Sequence, residues 1–269
     1  MFCDGGVCTE EELHAALGYL LLGSMLMSGV ALTCGVVAPY GRYSSVRSFG
    51  FSWGRPLPAR LAWAVQELPA LLIPAALWAT TRSSATESLP NRVLLLCFEA
   101  HYLNRSVFFP LTVRGGKPTP FGVFLMAFLF CSINAYLQGR YLTKFYTYPE
   151  TWLTSPLFIS GLTVMLFGAA VNAHSDHVLR TLRRPGETGY KIPKGGMFTY
   201  VSGANFFGEI VEWGGFAIAS GFATPAVIFF VCTAANIGPR ALQHHKWYIE
   251  KFKEEYTALN RCALIPFVL

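Results

Sequence analysis

The chain has 269 residues, 53% apolar and only 13% charged, with 22 Phe, 12 Tyr, 6 Trp and a net charge of +6. A soluble domain carries roughly 25% charged residues, so about half of the usual solvating surface is missing. That excludes a disordered chain, a nucleic-acid arm and an ordinary cytosolic enzyme.

The apolar residues arrive in long blocks, and a bilayer-crossing helix needs about 20 of them. The reading is an all-α integral membrane protein with seven transmembrane helices, near 14–38, 62–80, 93–112, 121–139, 155–175, 197–220 and 222–238. Breakers and charges separate them: Pro39-Tyr40-Gly41-Arg42, Ser83 to Thr86, Arg114-Gly115-Gly116-Lys117-Pro118, Tyr148-Pro149-Glu150, and the polar run from Asp176 to Gly196. The sixth and seventh spans nearly touch, so a tight turn is expected at Gly221 to Pro225. From Arg240 onward charge alternates with aromatic side chains, as in an amphipathic tail at the membrane surface.

Lys and Arg orient the bundle. Sixteen of the 21 fall in the first, third and fifth loops and the tail, four in the second and fourth loops, and Arg105 lies inside the third span. The N-terminal segment carries Asp4 and Glu10 to Glu12 and no basic residue. These features predict an outside or lumenal N-terminus, a cytosolic C-terminus and an uncleaved first span. The positive charge then lies mostly beside anionic lipid, with no nucleic-acid partner required. The seven Cys contain no CxxC pair and no metal-ligand spacing. Most are expected in the core, and Cys3 and Cys8 could form a disulfide on the outer side.

Ionisable groups at membrane depth are costly and should face the bundle interior. Asn172, Asp176, Arg180 and Arg183 follow at steps of four, four and three, which puts them on one helix face. Asn205, Glu209 and Glu212 do the same on the sixth span, and Arg240, His244 and Tyr248 at the start of the tail. Internal salt bridges, such as Asp176 with Arg180, are one reading of these stripes. With Arg184, Lys191 and Lys194 the cations outnumber the carboxylates, however, and surplus guanidinium suits a phosphate-bearing ligand. No G-x-G-x-x-G follows a strand and no P-loop occurs, so such a ligand would be gripped by membrane helices.

A second constellation joins Trp63, Gln66 and Glu67, just before Leu68-Pro69, with His101-Tyr102 on the third span. A protonated Glu67 can donate a hydrogen bond or support a tyrosine hydroxyl that does. Such a pair can polarise a ketone oxygen as an oxyanion hole does; an inter-helix hydrogen bond without chemistry is the other reading. His101, the His174/His177 pair and His244-His245 are each short of a metal site, so no metal is assigned.

Several blocks of this sequence resemble the steroid 5α-reductases. They are Ala62-Trp63-Ala-Val-Gln66-Glu67-Leu68-Pro69, Arg114 to Pro118, Asn172-Ala-His-Ser-Asp176-His-Val-Leu-Arg180, Leu182-Arg183-Arg-Pro-Gly186, Gly189-Tyr190-Lys191-Ile-Pro193, Tyr200 to Glu209, and Arg240-Ala-Leu-Gln-His-His245. The likeness runs from about Tyr40 to Phe267, and mixes stretches like the type 1 and like the type 2 isoenzyme. It implies one seven-helix membrane domain over residues 1–269, with steroid-pocket elements at about 40–140 and cofactor-binding elements at about 170–260.

The implied activity is NADPH-dependent reduction of the Δ4 double bond of 3-oxo-steroids, with hydride delivered to C5. By the resemblance, Glu67 and Tyr102 hold the C3 carbonyl, with Trp63, Gln66 and Trp213 lining the substrate pocket. The cofactor contacts carry over to Tyr40, Arg105, Arg114, Lys117, Asn172, Asp176, Arg180, Arg183, Tyr190, Lys191, Asn205, Glu209, Arg240, His244 and Tyr248. A monomer is expected, in the endoplasmic reticulum of a eukaryote or the inner membrane of a bacterium, taking its steroid from the bilayer. A membrane enoyl-CoA or polyprenol reductase is the competing enzyme, and a seven-helix transporter or receptor is the competing non-enzyme.

Overall fold

The computed structural model of the protein describes residues 8–43, 53–113, 115–184 and 186–269. The Cys3–Cys8 pairing and Arg114 therefore fall outside the described residues or depend on ones that do. Helix α1 spans Glu10–Thr33, and Thr9 caps it in a reciprocal box with Glu12. That box is why the helix begins four residues before the predicted span, with its acidic residues in the first turn, where the helix dipole favours them. A two-residue strand β1 (Pro56–Leu57) precedes α2 (Ala59–Thr80), and the single turn α3 (Ser84–Glu87) leads into α4 (Leu89–Leu103).

From α4 the chain passes through a π turn, Asn104–Phe108, into α5 (Phe109–Thr112), so helix runs without a break from 89 to 112. Strand β2 (Thr119–Pro120) pairs antiparallel with β1 and ties the third loop to the first, a pairing the sequence did not predict. Helix α6 (Phe121–Arg140) also ends in a π turn, Tyr141–Phe145. Next come α7 (Pro156–Thr181), α8 (Ala204–Ala219), α9 (Thr224–Phe252) and the single turn α10 (Glu254–Thr257). Among the described residues, five helices are long and apolar enough to cross a bilayer: those over Glu10–Thr33, Ala59–Thr80, Phe121–Phe145, Pro156–Thr181 and Thr224–Phe252. The protein is an all-α, multi-pass membrane protein.

Helix occupies each of the seven predicted windows, but three ends differ in ways that matter. Helix α7 continues six residues beyond the predicted end and carries Asp176 and Arg180 within it. Helix α8 starts at Ala204 rather than 197, because the chain just before it pairs with the C-terminal segment: Val201 bridges to Cys262, Ser202 N–H donates to Cys262 O at 2.9 Å and Gly203 N–H to Ala263 O at 3.0 Å. The seventh window and the start of the tail form one helix, α9, with Pro239 inside it. The polar stripe of the tail is thus rigidly continuous with the apolar stretch.

Helices α7 and α8 touch backbone to backbone. A Cβ on Gly161 or Gly168 of α7, or on Gly208 or Gly215 of α8, would collide with main-chain atoms of the opposite helix. Lipid supplies no hydrophobic drive between helices, so small residues that allow close approach carry the association. The contact fixes the relative height of Asn172 and Glu209. At the start of α1, Glu10 accepts from Arg140 and Lys144 at the end of α6, both at 2.5 Å, pinning that end of the bundle. The main core is aromatic, with Phe98, Tyr102, Trp213, Phe216 and Phe229 all buried.

Candidate active site

A cavity of about 530 Å³ opens at the end of the bundle where α1 and α7 finish and α8 begins. Six residues expected from the sequence line it: Tyr40, Lys117, Arg183, Tyr190, Arg240 and His244. Arg42 lines it too, and among the described residues no Asp or Glu does. The wall draws on 38–43 and 116–117 as well as 183–244, so both halves of the chain build it.

The segment after α1 is fastened to α9. The Gln243 amide donates to Leu32 O at 2.9 Å and Val36 O at 2.8 Å, satisfying carbonyls that the end of α1 leaves open. The Tyr43 hydroxyl donates to Gln243 O at 3.1 Å. Gly116 approaches the start of α2 so closely that a Cβ would lie 3.1 Å from the Ala59 Cβ, and its φ of +118° suits only glycine.

The cations of the cavity rest on rings. The Arg42 guanidinium lies 4.4 Å from the Trp247 ring centre and 4.8 Å from that of Tyr248, to whose hydroxyl it donates at 3.4 Å. Its other terminal nitrogen is buried without a hydrogen-bond partner among the described residues. Arg240 lies 4.5 Å from the Tyr40 ring centre and 5.1 Å from that of Phe206. Cation–π contact holds a guanidinium in place without neutralising it, so the charges stay available to an anion.

Deeper in the bundle lies a second polar group. Arg105 donates to Asp176 at 2.8 Å and to Glu209 at 2.9 Å. The Asn172 amide donates to Asn205 O at 2.9 Å. Arg105 is aimed inward from the π turn, whose extra residue per turn rotates it into the core. Its guanidinium is 5.4 Å from the Trp63 ring centre, which links this group to the third one. There Gln66 donates to one Glu67 oxygen at 3.3 Å and the Cys131 thiol to the other at 3.4 Å. The Tyr102 side chain lies within electrostatic range of Cys131, Glu67 and Glu209. The Tyr102 ring stacks on Trp213 at 6.0 Å and 28°.

Of the described residues expected to contact the cofactor, Arg105, Asn172, Asp176, Asn205, Glu209 and Tyr248 do not line the cavity, and two more are engaged elsewhere. Arg180 does not pair with Asp176: it donates to Thr112 at 2.9 Å and meets His177 at 3.2 Å, because Arg105 on the neighbouring helix takes Asp176 first. The Lys191 ammonium is held by Glu187 at 2.5 Å on the exposed loop, and with the Arg184 backbone N–H it keeps that carboxyl below its ordinary range. Tyr248 is buried behind the wall, stacked on Tyr256 at 5.0 Å. The sequence reading missed Arg42, which it used only as a span breaker, along with Gln243 and Cys131. It placed Glu212 on a stripe but not its partner: His101 donates to it at 2.8 Å, with both side chains almost wholly buried.

The family model described as 3-oxo-5-alpha-steroid 4-dehydrogenase matches residues 117–269. The chain is 52% identical over 236 residues to 3-oxo-5-alpha-steroid 4-dehydrogenase 1 of Mus musculus, covering 87% of this chain and 89% of the mouse protein. It is 49% identical to the Rattus norvegicus protein of the same name, covering 93% of each. With 3-oxo-5-alpha-steroid 4-dehydrogenase 2 of Rattus norvegicus it shares 42% identity over 93% of this chain and 96% of the rat protein. Likeness at this level over nearly the whole length leaves one conclusion: the chain belongs to the 3-oxo-5-alpha-steroid 4-dehydrogenase family.

Proposed function

We propose that this protein, an oxidoreductase acting on a CH–CH bond, reduces the Δ4 double bond of 3-oxo-Δ4-steroids to 5α-3-oxosteroids with NADPH. The observation that carries the reading is the cationic cavity, with no Asp or Glu among its described lining residues, together with two further polar groups in the bundle, the Arg105–Asp176–Glu209 network and Glu67 with Gln66 and Cys131. The donor set fits a phosphate-bearing dinucleotide. Arg42, Lys117, Arg183 and Arg240 supply four positive side chains, with no carboxylate among the described residues of the wall. Asn172, Asp176, Asn205 and Glu209 supply polar groups at the depth where an amide-bearing ring needs them.

When bound, NADPH supplies the hydride. The chain's own part is positioning and electrostatics. Glu67 and the Tyr102 hydroxyl hold the steroid C3 oxygen, drawing charge toward it and leaving C5 electrophilic. As C5 accepts the hydride, the same two groups stabilise the enolate oxygen, an effect worth about 2.7–4 kcal/mol for one such donor. C4 then takes a proton from water and the ketone is restored. The aromatic surround of Trp63, Tyr102 and Trp213 keeps bulk water from the enolate and matches the flat apolar substrate.

The charge bias of the loops supports seven spans with a lumenal N-terminus and a cytosolic C-terminus. The charged cavity then faces the cytosol, and the steroid enters from the bilayer. In a eukaryote the membrane would be the endoplasmic reticulum. The test is NADPH oxidation by the purified protein in detergent with testosterone or progesterone, with the product identified by mass. A product two hydrogens heavier, with its ketone intact and 5α geometry, is expected. Binding of NADPH without steroid turnover, but with turnover of an enoyl-CoA or a polyprenol enal, would replace the steroid by those substrates.

A further inference from the structure

Helices α4 and α8 meet through two pairs of consecutive residues. His101 and Tyr102 follow one another near the end of α4, and Glu212 and Trp213 follow one another on α8. His101 Nδ1 donates to Glu212 Oε1 at 2.8 Å, and the Tyr102 ring stacks on Trp213 at 6.0 Å. The His101 ring stands edge-on to both of these rings, 4.6 Å from Trp213 and 5.2 Å from Tyr102. All four side chains are almost wholly buried. A second polar link joins the same two segments: Arg105, four residues after His101, pairs with Glu209, three residues before Glu212. The reductive chemistry described above uses Tyr102 and the Arg105 network but leaves His101 and Glu212 without a part.

Packing alone does not account for this pair. Trp213 already meets Phe98 at 5.8 Å, Phe216 at 5.8 Å and Phe229 at 4.3 Å. A buried ion pair stabilises a fold no better than well-packed apolar residues of the same volume. The second Glu212 oxygen is buried with no hydrogen-bond partner among the described residues, which adds a further penalty. What the hydrogen bond supplies and apolar contact does not is direction. Stacked rings can slide and turn on one another, whereas a 2.8 Å bond fixes the height of one helix against the other.

We propose that His101 and Glu212 are positioning residues for the reduction. Their hydrogen bond sets Tyr102 and Trp213 in register, so that the Tyr102 hydroxyl meets the steroid C3 oxygen as charge develops on it. The inference rests on the reductase reading. Neither residue lines the charged cavity, so the effect falls on the steroid step and not on cofactor binding.

The test is made on the full-length protein in detergent, with testosterone and NADPH. Deleting one partner alone leaves a buried group unpaired and destabilises the fold. The first variant therefore replaces both, His101→Phe with Glu212→Leu, keeping a ring and an apolar contact. Its thermal midpoint should be no lower than that of wild type. Its kcat should fall about 10²-fold, the scale of a small misplacement of a catalytic group. Steroid KM and NADPH affinity should change less than about two-fold, because the loss is confined to the transition state.

Two single variants separate reach from charge. Glu212→Gln keeps an acceptor at the same distance from His101, whereas Glu212→Asp keeps the charge and withdraws it by one methylene. Positioning predicts that Glu212→Gln loses less than about ten-fold in kcat and that Glu212→Asp loses more. This comparison decides the question even where the double variant fails to fold. Near-normal kcat in a folded double variant, or Glu212→Asp turning over as fast as Glu212→Gln or faster, would overturn the proposal. Wild type measured alongside distinguishes the two failures: no steroid turnover there overturns the reductase reading and this inference with it.

Discussion

Arg105 and Asp176 are 71 residues apart in sequence and joined by a 2.8 Å charged hydrogen bond inside the bundle. The same guanidinium reaches Glu209 at 2.9 Å, so one cation serves a buried and a partly buried carboxylate from two further helices. Breaking a buried pair by deleting one partner leaves an unpaired charge and costs about 3–5 kcal/mol. Arg105→Met should therefore lower the unfolding midpoint sharply in detergent. Adding Asp176→Asn and Glu209→Gln to that variant should recover much of the stability but not NADPH binding. Thermal unfolding and cofactor titration of the three proteins, wild type included, separate the two effects.

Among the described residues Glu67 accepts from Gln66 and Cys131 and forms no ion pair. Glu67→Gln should keep the fold and NADPH affinity while lowering turnover about 10²–10³-fold, the usual effect of weakening one oxyanion donor. Single-turnover kinetics at saturating steroid and NADPH measure this. Near-normal turnover would remove Glu67 from the carbonyl-polarising role.

Arg183 lines the cavity, whereas Lys191 is held by Glu187 outside it. Arg183→Ala should weaken NADPH by about ten-fold or more, as expected for a charged hydrogen bond worth about 1.5–3 kcal/mol. Lys191→Ala should weaken it much less. Lys191 and the Arg184 backbone N–H hold the Glu187 carboxyl below its ordinary range. The pair is thus formed above that range, persists as pH falls through it, and is lost only when Glu187 itself protonates. Cofactor titration by nicotinamide fluorescence at two pH values checks both the ranking and its persistence.

Gly168 and Gly208 let α7 and α8 meet at the level of Asn172. A methyl group at either site has only backbone to displace. Gly208→Ala should cost about 1–3 kcal/mol or more by overpacking, and should also weaken NADPH by shifting Asn172 away from Asn205. Gly23, with open space around its Cβ position, is the control and should tolerate alanine.

The sequence by itself determined the membrane class, the seven helical windows and six of the residues that line the cavity. Those features are local: an apolar block excludes water wherever it lies, and a three-or-four-residue spacing puts side chains on one helix face whatever the helix touches. Only the tertiary structure decided the pairing. Asp176 was read beside Arg180 because both lie on α7, yet Arg105 arrives from another helix and takes it. The π turn that aims Arg105 inward leaves no periodic signal, nor does the bond from Gln243 that ties the end of α1 to α9. Arg42 looked like a loop charge because nothing in its neighbourhood of sequence announces three aromatic rings. A buried charge takes the partner that folding brings within 3 Å, and the order of residues along one helix does not fix which that is.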